Sequence, residues 1–157
     1  MVMRRLGIDY GSKRWGVAFA DELGIATPLE AIVDADAPQR LRRLEGLIRQ
    51  RRAQELVVGY PYNMDGSVGF KAKEVDAFVA QLQALFPEMP IRLVDERLSS
   101  DRAGEGWSEK RKRQERASGK LDSRAATLIL RDYLEQLDPA SMLAEHLAMD
   151  EDDGRRG

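Results

Sequence analysis

The stretch "RRLGIDYGSKRWGVAFAD", residues 4–21, decides the fold. Residues 4–9 read as one strand and residues 15–21 as a second. The short "YGSKR" between them predicts an antiparallel hairpin. Asp9 closes the first apolar run, and a charge there needs a reason. Working outward, "IATPLEAIV" (25–33) reads as the third strand of a meander, with Pro28 marking an edge or a bulge.

The rest of the chain changes rhythm. "APQRLRRLEGLIRQRR" (37–52) has Leu41, Leu44, Leu47 and Ile48 at helical spacing, with Pro38 suited to its first turn. "ELVVGY" (55–60) is a wholly apolar strand of the kind buried on both faces. "PYNMDGSVG" (61–69) is a turn-rich loop. A helix over 70–86 follows, then a strand, "IRLVDE" (91–96), that ends in two acids. Ser99 and Ser100 signal a helix start, but glycine and charge soon interrupt it, which predicts a short helix and a mobile basic loop. Residues 120–137 read as a strong helix, with Leu121, Ala125, Leu128, Ile129 and Leu134 on one side. The order is three antiparallel strands, helix, strand, helix, strand, helix, with the last two strands parallel across crossover helices. This is an α/β domain over residues 1–137. Residues 138–157, with six acids and two bases, form an acidic tail expected to be mobile.

Composition narrows the chemistry. The 157 residues fit one domain with a sizeable core. No apolar run approaches a membrane span, and the N-terminus enters a strand pattern directly, so no membrane partner is expected, while the lack of cysteine is compatible with a reducing cytoplasm. Cysteine is absent, which excludes disulfides, thiolate metal sites and cysteine nucleophiles. His146 is the single histidine, in the polar tail, so catalysis must rest on carboxylates, hydroxyls and basic groups. The net charge is −2, yet bases cluster locally. The 37–52 helix holds six arginines against one acid, and "SEKRKRQERASGK" (108–120) holds six bases against two acids. Such clusters suit phosphates, although a helix of this kind is as often a solvated face.

Three acids occupy equivalent places: Asp9 at the end of the first strand, Asp95 and Glu96 at the end of the last, and Asp122 in the first turn of the last helix. In open α/β sheets ligands bind beyond strand ends. Asp9 and Glu96 converge if their strands run the same way, and Asp122 projects from a helix packed across that edge. Singly, each acid reads as a turn residue, a surface ion pair or a helix-start residue favoured by the dipole. Together they repel, and oxygen-only ligands of this kind suit Mg²⁺ or Mn²⁺. Two such ions about 4 Å apart clamp a scissile phosphate and activate water. Lys13 and Arg14 at the hairpin tip, and Lys110, Arg111, Lys112, Arg113 and Lys120 in the basic loop, are candidate phosphate contacts. So is Arg97, beside the acids. Gly7, Gly11 and Gly16 serve either close packing or clearance for a phosphate chain.

"LGIDYGSKRWGVAFAD", "LVVGYPYNMDGS", "VDERLSS" and "KLDSRAATLILRDYLE" resemble, in order and spacing, the four motifs of the YqgF family, also called RuvX. Its members are described as Holliday junction resolvases or pre-16S rRNA nucleases. The resemblance runs from about Arg4 to Leu137. It implies an RNase H-like fold, a five-stranded mixed sheet with helices on both faces. It also implies a divalent-metal-dependent nuclease acting on RNA, on branched DNA, or on both, linked to 5′-end maturation of 16S rRNA. Its acidic site maps onto Asp9, Glu96 and Asp122, with Asp95 as an additional or substitute ligand. The chain departs from the pattern after "DERLSS", where "DRAGEGWSEKRK" is more polar and richer in glycine than the family's alanine-rich helix; Trp107 there is expected to pack rather than stack. Junction cleavage would need paired cuts and hence a homodimer.

Two other functions compete. The first stretch also resembles the phosphate motif of the actin, Hsp70 and sugar-kinase superfamily, but those proteins clamp nucleotide between two domains, and this chain has length for one. The second is an RNA- or ribosome-binding factor without catalysis, which would have no use for acids facing a polyanion.

Overall fold

The structure, a computed structural model, describes residues 3–63, 65–96, 110, 113 and 121–137. The expected acidic tail, the helix start at Ser99 and Ser100, Trp107, Arg97, Arg111, Lys112 and Lys120 lie outside the described residues.

The elements are β1 (Arg5–Asp9), β2 (Trp15–Ala20), β3 (Ala26–Ile32), α1 (Ala37–Arg51), β4 (Glu55–Tyr60), α2 (Phe70–Leu85), β5 (Ile91–Asp95) and α3 (Arg124–Leu137), which a 3₁₀ turn at Leu121–Ser123 precedes. The sheet order is β3-β2-β1-β4-β5. β1–β2 and β2–β3 are antiparallel, while β1–β4 and β4–β5 are parallel. The expected mixed sheet is therefore present, and β1, β4 and β5 all end on one side. Pro28 lies on the edge strand, where a missing N–H costs nothing.

Strand alternation assigns the two faces. Leu6, Ile8, Leu56 and Val58 point to the α1/α2 side, with Leu44, Ile48, Val75, Phe78 and Leu82. Val79 and Phe86 pack against that cluster, so they belong to the core. Ala18, Ala20, Val57 and Val94 point to the α3 side, with Ala126, Ile129, Leu130 and Leu134. Ala126, rather than Ala125, is the buried alanine of that helix, because it shares a face with Ile129, Leu130 and Leu134.

The small residues of this second face let α3 sit close: a Cβ on Gly7 would lie 2.9 Å from the Ala126 carbonyl oxygen. At the far end of the face, the buried Glu55 carboxylate accepts from Arg5 Nε, from Arg92 Nε at 3.1 Å and from the Tyr133 hydroxyl at 3.1 Å. α3 is thereby tied to three strands at its C-terminal end.

The arginine-rich helix is largely absorbed by structure. Asp36 caps α1 by accepting from the Gln39 N–H. Arg43 pairs with Asp34, Arg49 with Glu45, and Arg51 lies 5.0 Å over the Phe19 ring. Arg40 is buried and donates to the carbonyls of Asp34, Ala35 and Ser12.

Candidate active site

Asp9 ends β1 with the parity of Gly7, so it faces α3. Glu96 follows β5 with the parity of Val94 and faces the same way. The two carboxyls meet in a hydrogen bond. Burial, that hydrogen bond and the charge of Asp9 push the Glu96 carboxyl up to about 8, with Lys71 pulling weakly the other way. Gly59 of β4 lies beneath the pair, since a Cβ there would stand 3.5 Å from Glu96 Cδ. Asp95 shares the parity of the exposed Leu93, which turns it from the face that carries Asp9 and Glu96.

Asp122 lies in the 3₁₀ turn, one step before the helix the sequence places it in. The turn docks on β2. The register between β2 and β3 shifts between Trp15 and Val17, and the Val17 N–H donates to the buried Ser123 hydroxyl at 2.9 Å. Gly16, opposite Asp9 in the ladder, makes this docking possible: a Cβ there would come within 2.3 Å of the Asp122 carbonyl oxygen. Gly16 clears room for the chain's own backbone, not for a phosphate. A Gly16→Ala variant is expected to lose about 1–3 kcal/mol by overpacking, read from its urea midpoint. An unchanged midpoint would mean that the turn shifts freely.

The Asp122 carboxylate is half-exposed and pairs with Arg14 at 2.9 Å. The Asp122 backbone lies over Gly16, the residue opposite Asp9, and among the described residues no group of three acids or histidines is set to hold a metal ion. Carboxyl groups in contact repel unless a proton or a cation lies between them, and the oxygens of Asp9 and Glu96 suit a hard cation.

The bases beside the site are Lys13 and Arg14, both exposed on the β1–β2 turn. That turn is held from below. The Trp15 indole N–H donates to the Gly11 carbonyl at 3.0 Å, and Arg40 reaches Ser12 at 3.1 Å while lying 5.5 Å over the Trp15 ring. Lys110 and Arg113 are exposed. Lys71, which acts on Glu96, has no signal in the sequence, because only the fold places the start of α2 beside the end of β5. A cavity of about 660 Å³ lined by Arg49, Phe86, Met89 and Pro90 lies at the opposite end of the parallel strands, away from these groups.

A family model described as RuvX, Holliday junction resolvase, matches residues 3–136. A protein of Opitutus terrae named "Putative pre-16S rRNA nuclease" is 53% identical over 137 residues, covering 87% of this chain and 94% of the relative. Among solved structures, the fowlpox virus resolvase in complex with substrate Holliday junction DNA aligns with a TM-score of 0.53 at 13% identity, covering 86% of this chain and 99% of that one. The yeast mitochondrial Holliday junction resolvase Ydc2 aligns with a TM-score of 0.51 at 14% identity, covering 93% and 85%. The likeness to these structures is one of fold, and the fold is RNase H-like.

Proposed function

The chain belongs to the RuvX family and is a nuclease, and from that premise we propose that it hydrolyses phosphodiester bonds with Asp9, Glu96 and Asp122 as its metal-binding acids. Mg²⁺ or Mn²⁺, as a pair of ions, is the cofactor of this reading. When bound, such ions polarise the scissile phosphate and make water a nucleophile near neutral pH. The observation that carries the reading is the half-buried contact between Asp9 and Glu96. It costs the fold stability and is repaid only when a cation takes the place of the shared proton. Asp95 is left out of the ligand set by its parity. Arg14 holds Asp122 until substrate phosphate competes for the guanidinium.

The substrate proposed is precursor 16S rRNA, cut at its 5′ end in the cytoplasm; what supports the RNA is that relatives matching nearly end to end are named for pre-16S rRNA. The description of the family model favours a second reading, branched DNA, for which paired cuts demand two copies of the chain. The test is a panel of structured precursor RNA, single-stranded DNA and four-way junctions, each with Mg²⁺ or Mn²⁺. Preferential cleavage of the RNA is expected. Symmetric nicking of the junction would move the assignment to DNA, and no cleavage of any substrate would overturn the nuclease reading.

Lys110, Arg111, Lys112 and Arg113 are proposed as backbone contacts. Changing all four to alanine is expected to weaken binding and to reduce the slope of log affinity against log salt by about 3. An unchanged slope would remove this segment from the interface.

A further inference from the structure

Phe70 is 79% exposed, more than any other large apolar side chain among the described residues. Its place is not a packing accident. The buried stripe of α2 runs through Ala72, Val75, Phe78 and Leu82, and position 70 falls off that stripe, so helix geometry itself turns the ring to solvent. The topology places the start of its helix at the same end of the sheet as the acids. β4 lies between β1 and β5, so the segment from Pro61 to Phe70 leaves the sheet between the strand ending in Asp9 and the strand leading to Glu96.

The connection is braced. The Asn63 N–H donates to the Ser67 carbonyl at 2.9 Å, and the Ser67 N–H to Asp65 at 2.9 Å. Tyr62, 37% exposed, rests edge-on against Tyr60 with ring centroids 4.8 Å apart. Next to Phe70, Lys71 acts on Glu96, and Lys73 lies in the same turn with no acid among them. Neither lysine is placed for helix stability, since cations are favoured at the opposite end of a helix. They suit an anionic partner instead. An exposed phenyl ring flanked by ammonium groups is the chemistry that receives a base and its phosphates.

We propose that Phe70 is a stacking platform for one unpaired base of the substrate strand, with Lys71 on the adjoining phosphate. Resting on the nuclease reading, this narrows the substrate class to nucleic acid with an unstacked nucleotide beside the scissile bond, such as a single-stranded end or a branch point. A blunt, continuous duplex has no base to offer the ring.

The test measures binding in the Asp9→Asn full-length chain, so that it does not depend on cleavage. Phe70→Ala is expected to raise the Kd of a single-stranded oligonucleotide about tenfold, with a blunt duplex and the salt slope unaffected. Phe70→Trp is expected to restore the affinity, with quenching of its added emission when the single strand binds. Equal weakening toward both probes, no weakening toward either, or a change in oligomeric state alone would each overturn the proposal. Failure of the nuclease reading is distinguishable, because it shows as absent cleavage by the wild type whatever the Phe70 variants bind.

Discussion

The Asp9→Asn variant is expected to cleave with Mn²⁺ at a rate about 10²–10³-fold below that of the wild type, the scale of losing one preorganised group that stabilises transition-state charge. It should still hold its nucleic acid as tightly or more tightly, because the change removes a negative charge that faces phosphates. A second readout separates the metal role from a structural one. In the folded, metal-free protein the Glu96 carboxyl titrates at about 8, far above its value in an unfolded chain. A carboxyl raised in this way makes the fold lose stability as pH climbs from the ordinary glutamate range toward 8, since the unfolded chain gives up its proton first. Asparagine removes the repelling charge. The metal-free variant should therefore melt higher than the wild type at pH 8 and nearly level with it at pH 4, with each kcal/mol recovered raising Tm by about 2–4 °C. Added Mn²⁺ should raise the melting point of the wild type more than that of the variant. Equal cleavage by the two proteins, or an equal response to Mn²⁺, would sink the mechanism.

Glu55→Ala is expected to be the most destabilising of the substitutions considered, by about 3–5 kcal/mol, the usual result of breaking a buried ion pair from one side. Burial alone would raise the Glu55 pKa, but hydrogen bonds from Arg5, Arg92 and Tyr133 outweigh it, and the carboxyl titrates below its ordinary value of 4.5. The stability that this depression supplies is present in full above the unfolded value and disappears as pH falls through the folded one. The gap between wild type and variant should thus be widest near neutral pH and should narrow below about pH 4, read from urea unfolding at a series of pH values. Glu55→Gln, which keeps the shape and can still accept, should lose less than alanine does. A gap independent of pH would assign the loss to packing rather than charge.

Much of this architecture was legible in the sequence, for reasons visible in particular residues. The hairpin of residues 4–21 is read from two apolar runs about one short turn, and α1 and α2 from apolar spacing, because both periodicities are local. The convergence of Asp9 with Glu96 was legible once strand direction was assumed. The choice between Glu96 and Asp95 was not, since it depends on which face of β5 meets a helix more than 25 residues further on. The arginine-rich helix misleads for a related reason. Its partners Asp34, Phe19 and Phe86 lie elsewhere in the chain, so its charge looks unspent until the fold is known. Phe70 was hidden too, because one aromatic at a helix start carries no periodic signal of exposure.

The docking of the last helix has a consequence for timing. Val17 completes its hydrogen bonding through Ser123, and the Glu55 network is closed by Tyr133, so the sheet borrows polar partners from the last described segment of the chain. During synthesis the five strands emerge first, with one face bare and two of their polar groups still short of a partner. Asp122 arrives only with the turn that covers that face. A half-made chain on the ribosome therefore has both Asp9 and Glu96 but not yet Asp122. The turn that carries Asp122 settles on the sheet only when the helix that seals that face has been released.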